Sequence, residues 1–480
     1  MDTPQRTRSG GSKLGLVALA CLAAIVVAAL TLRWMGGRSL QKAVDRIAIE
    51  GQALTSAYLD PARTSGKADP TEWLVRVSRS RPQWDMSDIS DMKKYTFILG
   101  EARANRLGED ARIAFELFDG LLQKHLEGAS DEAARWNEFW VALALRLREC
   151  DGVRPWGELN EAAVRLIAVG LADQIVLAKS ASQYGEIDPL RATAALDGAN
   201  ETFPTLPFLE EACIGDAVHV TAIHKAQAKY ALEALDTLRA GLAVARIHSA
   251  PHWMMSYIAW TLQVSRVLDG LQTILPMLPR GLDLSDLERE FTDFRPRTLI
   301  AMAIRGERAF GNRVFERIAD GAHLEGIGAR DAQRSFFDRI KGFVGDDIDR
   351  AAYLDALTDG ALRAETARFL RRPLADGVDD SFWTHAAATF APQLEPSLHT
   401  TDLLEARLVM ARAALTAYRA GAKETLEFLP QTTDPFDGKP IRCGFGDDGL
   451  VVFWSAGPNG KDDGAVPDSD DVVWGLKLPE

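Results

Sequence analysis

The sequence has little cysteine, no excess of basic charge and none of the common catalytic signatures. Its 480 residues include four cysteines, which form no CxxC pair and no Cys/His zinc spacing. The net charge of −13 disfavours a basic nucleic-acid-binding surface, so no nucleic-acid partner is expected. The chain contains no HExxH, GxSxG or GxxxxGK[ST] sequence. We therefore predict that the protein is not an enzyme, and keep an enzyme with an unrecognised site as an alternative.

The isolated polar candidates in the helical region suggest no catalytic group. His248 and His252 have metal-like spacing, but Pro251 lies between them and should break a helix. His219 and a second histidine five residues later should diverge on a helix. We expect the histidines to be surface or capping residues, and the Glu210–Glu211 pair to be solvated.

A long charge-free run is present near the N-terminus. Residues 14–32, LGLVALACLAAIVVAALTL, are nineteen residues without a charge, enough to span a hydrocarbon core of about 30 Å. Arg33 and Trp34 follow and suit a membrane interface. A cleaved signal peptide and a lipoprotein acylated at Cys21 are the alternatives. We predict a cytoplasmic tail over 1–13, a single transmembrane anchor over 14–34 in the inner (cytoplasmic) membrane, and an extracytoplasmic remainder.

The body of the chain has helical periodicity with almost no strand-like alternation. This pattern predicts a mainly α protein with antiparallel helix pairs over residues 35–400. One long helix is expected from about 215 to 248. After it, at 305–318, comes the phrase RGERAFGNRVFERI.

The composition changes in the last eighty residues. A helix is expected over 401–429, followed by the turn sequences DPFDGKP, GFGDDG and GPNGKDDG. Short apolar runs at 450–454 and 471–478 predict strands of a small antiparallel sheet. Residues 401–480 should thus form a separate α+β unit.

This last segment resembles the soluble domain of type II secretion major pseudopilins. The resemblance rests on the DPF turn at 434–436, the FWSAGPNG sequence at 453–460, and the DDV sequence at 470–472 followed by Trp474. It implies a pilin-like α+β unit whose loop binds calcium. The N-terminal KLGLVALACL lacks the Phe and early Glu of the pilin-type leader. The middle region of the chain also looks like large, uncharacterised bacterial membrane-anchored helical proteins that carry this tail, and RGERAFGNRVFERI is its most recognisable segment.

The acidic loop between the two apolar runs is the candidate metal site. Calcium takes six to eight oxygen ligands, and glycines allow the loop to aim its carbonyl groups inward. Magnesium, which retains water, suits such a loop less well, and a solvated acidic hairpin is the alternative. The predicted calcium ligands are Asn459, Asp462, Asp463, Asp470 and Asp471.

Together these patterns predict a membrane-anchored, extracytoplasmic scaffold or binding protein, and the resemblance implies that its tail is pilin-like and stabilised by calcium. The alternative, from a second functional class, is that the protein is a component of a type II secretion or pilus-like machine. Its partners should be the membrane, through residues 14–32, and envelope or secretion-system proteins.

Overall fold

A computed structural model describes most of the helical body and the C-terminal sheet. The described residues are 11–49, 67–79, 168, 172–187, 208–249, 253–319, 336–371, 394–420, 425, 427–445, 450–466 and 469–477. They form a mainly helical protein with one small three-stranded antiparallel sheet. The predicted fold class is confirmed at this level.

The α-helices are numbered in chain order. They are α1 (Gly11–Ile49), α2 (Thr71–Arg79), α3 (Ala172–Ser180), α4 (Phe208–Gln227), α5 (Ala231–Ile247), α6 (Met254–Ile274), α7 (Ser285–Asp293), α8 (Pro296–Ala319), α9 (Phe336–Glu365) and α10 (Leu394–Ala420). The strands are β1 (Arg442–Phe445), β2 (Leu450–Ser455) and β3 (Val472–Lys477).

The chain divides into two compact units. The first contains Met1–Pro61, Ala301–Glu365 and Arg372–Leu394. The second contains Ala62–Ile300, Thr366–Arg371 and Glu395–Glu480. The structure groups the C-terminal segment with the helices of residues 62–300, and the predicted boundary at residue 401 stays a prediction.

In the first unit, α1 and α9 pack side by side in the same direction. A side-chain carbon added at Gly36 would lie 2.9 Å from Cγ1 of Ile348. Further along α1, Arg46 pairs with Asp355 at 3.6 Å, and also with Asp359. Residue numbers therefore rise together along both helices. Ala43 and Ile47 are buried on the packed face of α1.

The RGERAFGNRVFERI segment provides the face of α8 that packs against α9. Arg305 pairs with Glu365 at 2.6 Å between Nη1 and Oε1. One turn later, Nη1 of Arg308 donates to Oγ1 of Thr358 at 2.7 Å. The two contacts run in opposite directions along the helices, and residues 305 and 308 are three apart, the spacing of one helical face. This segment thus has a packing role in the described structure.

The helix expected over residues 215–248 is broken in two, which corrects the prediction. The N–H of Tyr230 donates to the carbonyl of Lys225 at 2.8 Å, and that of Lys229 donates to the carbonyl of Ala226 at 2.9 Å. Lys229 has a φ of 64°. This is a Schellman motif, which ends a helix through a left-handed residue. Glycine usually fills that position, so a lysine there concealed the break.

The sheet has the order β1-β2-β3, and both pairings are antiparallel. Cys443, Phe453 and Trp474 lie side by side across it. Phe453 and Trp474 are buried. Strands β2 and β3 coincide with the two apolar runs, whereas β1 overlaps the start of the turn sequence GFGDDG and was not predicted.

The predicted membrane span, residues 14–32, belongs to α1. The side chains of residues 11–29 lie outside the described ones. Among the residues that the structure describes, no helix is long and apolar enough to cross a membrane. The span stays a prediction.

Candidate functional site

Asp462 lies in the loop that joins β2 to β3, and its carboxylate accepts hydrogen bonds from three donors. Its Oδ1 accepts the indole N–H of Trp454 at 2.9 Å and the backbone N–H of Gly464 at 3.1 Å. Its Oδ2 accepts Nε of Arg442 at 3.2 Å. The hydrogen bond from Trp454 is the main reason why the pKa of this carboxyl is lowered. Asp462 is therefore stable as an anion without a bound ion.

Asp471, at the end of the same loop, binds the middle of the loop. Its Oδ2 accepts the N–H of Ala465 at 2.8 Å, and its Oδ1 accepts the N–H of Asp463 at 3.3 Å. Nδ2 of Asn459 donates to Oδ2 of Asp463 at 3.1 Å. The three predicted ligands Asn459, Asp463 and Asp471 are thus brought into one hydrogen-bonded network.

Asp470, near the end of the loop, approaches Gly457 at its start through its backbone carbonyl. A side-chain carbon on Gly457 would lie 1.7 Å from the carbonyl oxygen of Asp470, and the φ of Gly457 is 61°. Only glycine suits this position, because the chain needs both the left-handed conformation and the close approach. Among the described residues, no three His, Cys, Asp or Glu side chains are grouped so that they could hold a metal ion. The calcium site stays a prediction.

Arg442 is the centre of charge compensation, and the sequence did not reveal it. Its guanidinium contacts three aspartates: Asp434 and Asp437 through its two terminal nitrogens, and Asp462 through Nε. Asp434 is fully buried and also accepts the backbone N–H of Ala456 at 2.8 Å. Partial burial opposes ionisation of Asp437, but the hydrogen bond and charge of Arg442 together with the backbone N–H of Lys439 outweigh it and lower the pKa of this carboxyl. One cation therefore binds the DP turn, β1 and the acidic loop together.

A buried acid–imidazole pair lies in the helical part of the second unit. Oε2 of Glu211 and Nε2 of His248 are 3.0 Å apart, and their side chains are 1% and 0% exposed. The distance is that of a charge pair, but the angles do not form a hydrogen bond. Glu211 is not solvated, which corrects that expectation. His248 is buried rather than on the surface, but it stands at the C-cap of α5, one of the two positions expected for the histidines. The Glu210 side chain and His252 lie outside the described residues.

His219 is also buried, within a group of ion pairs between α4, α6 and α10. Burial lowers the pKa of His219 to about 4; Asp269 opposes this shift, and Arg266 and Arg407 add to it. Arg266 pairs with Asp216 at 2.6 Å, and Arg407 pairs with Asp269. His219 is therefore uncharged near neutral pH, and the ions around it neutralise each other.

An open polar cleft of about 580 Å³ lies between α3, α5 and α7. Its walls carry charges of both signs, which pair across and along the helices. Arg239 pairs with Asp236 at 2.8 Å, and Arg246 pairs with Glu290. The cleft offers hydrogen-bond donors and acceptors to a polar partner.

No protein-family model, curated protein or solved structure matches this chain.

Proposed function

We propose that the protein is a membrane-anchored scaffold or binding protein of the cell envelope, with its body outside the cytoplasm. The observation that supports this is the continuity of α1. The charge-free run lies in its first part, and its second part packs on α9 through Ala43, Ile47 and the ion pairs of Arg46. An anchor of this kind shares one helix with the first unit, so that unit is held at the bilayer without a flexible linker.

The buried charges of the second unit suit a structural role. Asp402 is fully buried and accepts two hydrogen bonds from Arg371, at 2.7 and 3.0 Å. A buried ion pair arranged in this bidentate way fixes the position of the groups that carry it. The Glu211–His248 pair is closed to solvent, which favours a structural role over an enzymatic one.

A component of a secretion or pilus-like machine is the second candidate. The C-terminal order of α10, a DP turn, antiparallel strands and an acidic loop favours it. In this proposal calcium binds the loop that contains Asn459, Asp462, Asp463, Asp470 and Asp471. Gly457, Gly460 and Gly464 support it, since their positive φ angles can direct backbone carbonyls toward a cation.

Alkaline extraction of membranes tests the anchor. The full chain should stay in the membrane pellet, because ~19 apolar residues are enough to span the hydrocarbon core of the bilayer. Val26→Asp/Val27→Asp should move it to the supernatant, because acidic residues at the bilayer centre are costly. Val176→Asp, at an exposed position on α3, is the matched control and should not. Recovery of the unaltered chain in the supernatant would contradict the proposal.

A pull-down after cross-linking in native membranes separates the candidates. A scaffold should retain an envelope protein at near-stoichiometric yield, whereas a machine component should retain secretion-system subunits. Recovery of the chain alone, with cross-linking verified on a known complex, would contradict both.

A further inference from the structure

The face of α1 opposite α9 carries an ordered stripe of side chains. The packed face contains Ala43 and Ile47, which are 2% and 1% exposed. On the other side, Leu30, Trp34, Arg38 and Lys42 follow one another at intervals of four residues, and all four are exposed. Side chains four residues apart lie on one face of a helix. This stripe faces away from α9.

The polarity of the stripe changes in one direction along the helix. Leu30 is apolar and 55% exposed, and Trp34 is amphipathic and 62% exposed. Arg38 comes next, with its Cζ 5.4 Å from the centre of the Trp34 ring, and Lys42 follows. A helix that leaves a bilayer meets hydrocarbon, the interface and the lipid headgroups in that order. The side chains of the stripe therefore match these three layers in the same order.

The spacing also suits the depth of the headgroup layer. Four residues of helix rise about 6 Å, which is close to the thickness of one headgroup layer, about 5–7 Å. Helical side chains point back toward the N-terminus. With Trp34 at the interface, the long side chains of Arg38 and Lys42 can therefore reach the lipid phosphates.

The two cations of the stripe differ from the next one along α1. Arg46 is occupied by Asp355 and Asp359 of α9. Within the described part of the chain, Arg38 and Lys42 form no ion pair with an acidic side chain. Their charges are available to an external anion.

We propose that Arg38 and Lys42, beside Trp34, form a binding site for the phosphate groups of anionic phospholipids. This inference rests on the proposed membrane anchor and adds the identity of the lipid. Each cation near an anionic membrane surface should raise the affinity for that surface about five-fold. Free inorganic phosphate has the same chemistry, but the neighbouring Leu30 and Trp34 fit a lipid.

Lipid-specific fluorescence quenching tests the site. The full chain is reconstituted with phosphatidylcholine and phosphatidylglycerol, and either lipid is brominated in turn at a fixed overall composition. Subtracting the signal of Trp34→Phe isolates the emission of Trp34. Brominated phosphatidylglycerol should quench Trp34 several-fold more than brominated phosphatidylcholine. Arg38→Gln/Lys42→Gln should equalise the two lipids, whereas Lys461→Gln/Lys477→Gln, at exposed lysines of the C-terminal unit, should preserve the preference.

The outcomes separate the lipid site from the anchor. Equal quenching by both lipids in the unaltered chain, or a preference that survives Arg38→Gln/Lys42→Gln, would overturn the lipid site and leave the anchor supported. No quenching of Trp34 by either lipid would overturn both. Loss of the preference in inorganic phosphate, but not in chloride of equal ionic strength, would assign the site to free phosphate instead.

Discussion

Replacing Arg442 with methionine should unfold the C-terminal sheet locally. The change keeps most of the apolar stem and removes the cation that contacts Asp434, Asp437 and Asp462. Asp434 is 0% exposed and the Arg442 side chain is 13% exposed, so the carboxylate would lose its charge partner without gaining water. Breaking a buried pair in this way costs about 3–5 kcal/mol.

Hydrogen exchange at Ala456 measures this cost where it arises. The N–H of Ala456 donates to Oδ2 of Asp434 at 2.8 Å. A loss of ~3–5 kcal/mol in local stability should accelerate exchange of this amide by about 150- to 4,000-fold. Lys439→Gln is the matched control, because the Lys439 side chain is 73% exposed and 3.7 Å from Asp437. Removing such a surface pair should change stability by less than about 1 kcal/mol.

A double mutant completes the argument. Arg442→Met combined with Asp434→Asn should cost less than the sum of the two single changes, because neither partner is then left as a buried charge. Similar exchange rates for Arg442→Met and Lys439→Gln would refute the central role of this arginine.

Three further predictions concern packing, pH and calcium. Gly36→Ala should lower the thermal midpoint, at a cost of about 1–3 kcal/mol, since its new carbon would meet Ile348 at 2.9 Å. Gly37→Ala has its nearest neighbour at 3.6 Å and should stabilise the helix; equal effects would contradict the α1–α9 contact. Because burial lowers the pKa of His219 to about 4, stability should fall from about pH 6.5 to pH 4 as the unfolded chain binds the proton, by ~3 kcal/mol. His219→Gln should remove that slope in urea titrations, and an unchanged slope would argue against it. Calcium at 100 times its dissociation constant should stabilise the full chain by about 2.7 kcal/mol relative to chelator, and Asp471→Asn should abolish the difference; coincident unfolding midpoints for the unaltered chain would count against the site.

Local sequence was sufficient for the mainly helical class and for two of the three strands, because periodicity is a property of each segment alone. Strands β2 and β3 lie where the apolar runs predicted them. β1, from Arg442 to Phe445, is too short to show alternation and gains its identity only by pairing with β2. The break at Lys229 was missed because its signal is a backbone conformation in a residue that seldom adopts it.

The site was harder to predict because its partners are distant in sequence. The acidic residues were visible as a cluster, but their compensation depends on Arg442, which lies twenty residues before Asp462. Glu211 and His248 meet only because α4 and α5 pack together. Neither residue has a local pattern that distinguishes a buried position from a solvated one.

Labelling of intact cells tests the central claim, a membrane-anchored chain with its body outside the cytoplasm. Lys461→Cys, at an exposed loop position, is introduced into a chain whose four native cysteines are replaced by serine. A membrane-impermeant maleimide should label this cysteine without lysis once the outer permeability barrier is opened, and the labelled chain should remain with the membrane pellet at alkaline pH. Labelling only after lysis, or a labelled chain in the supernatant, would contradict the account.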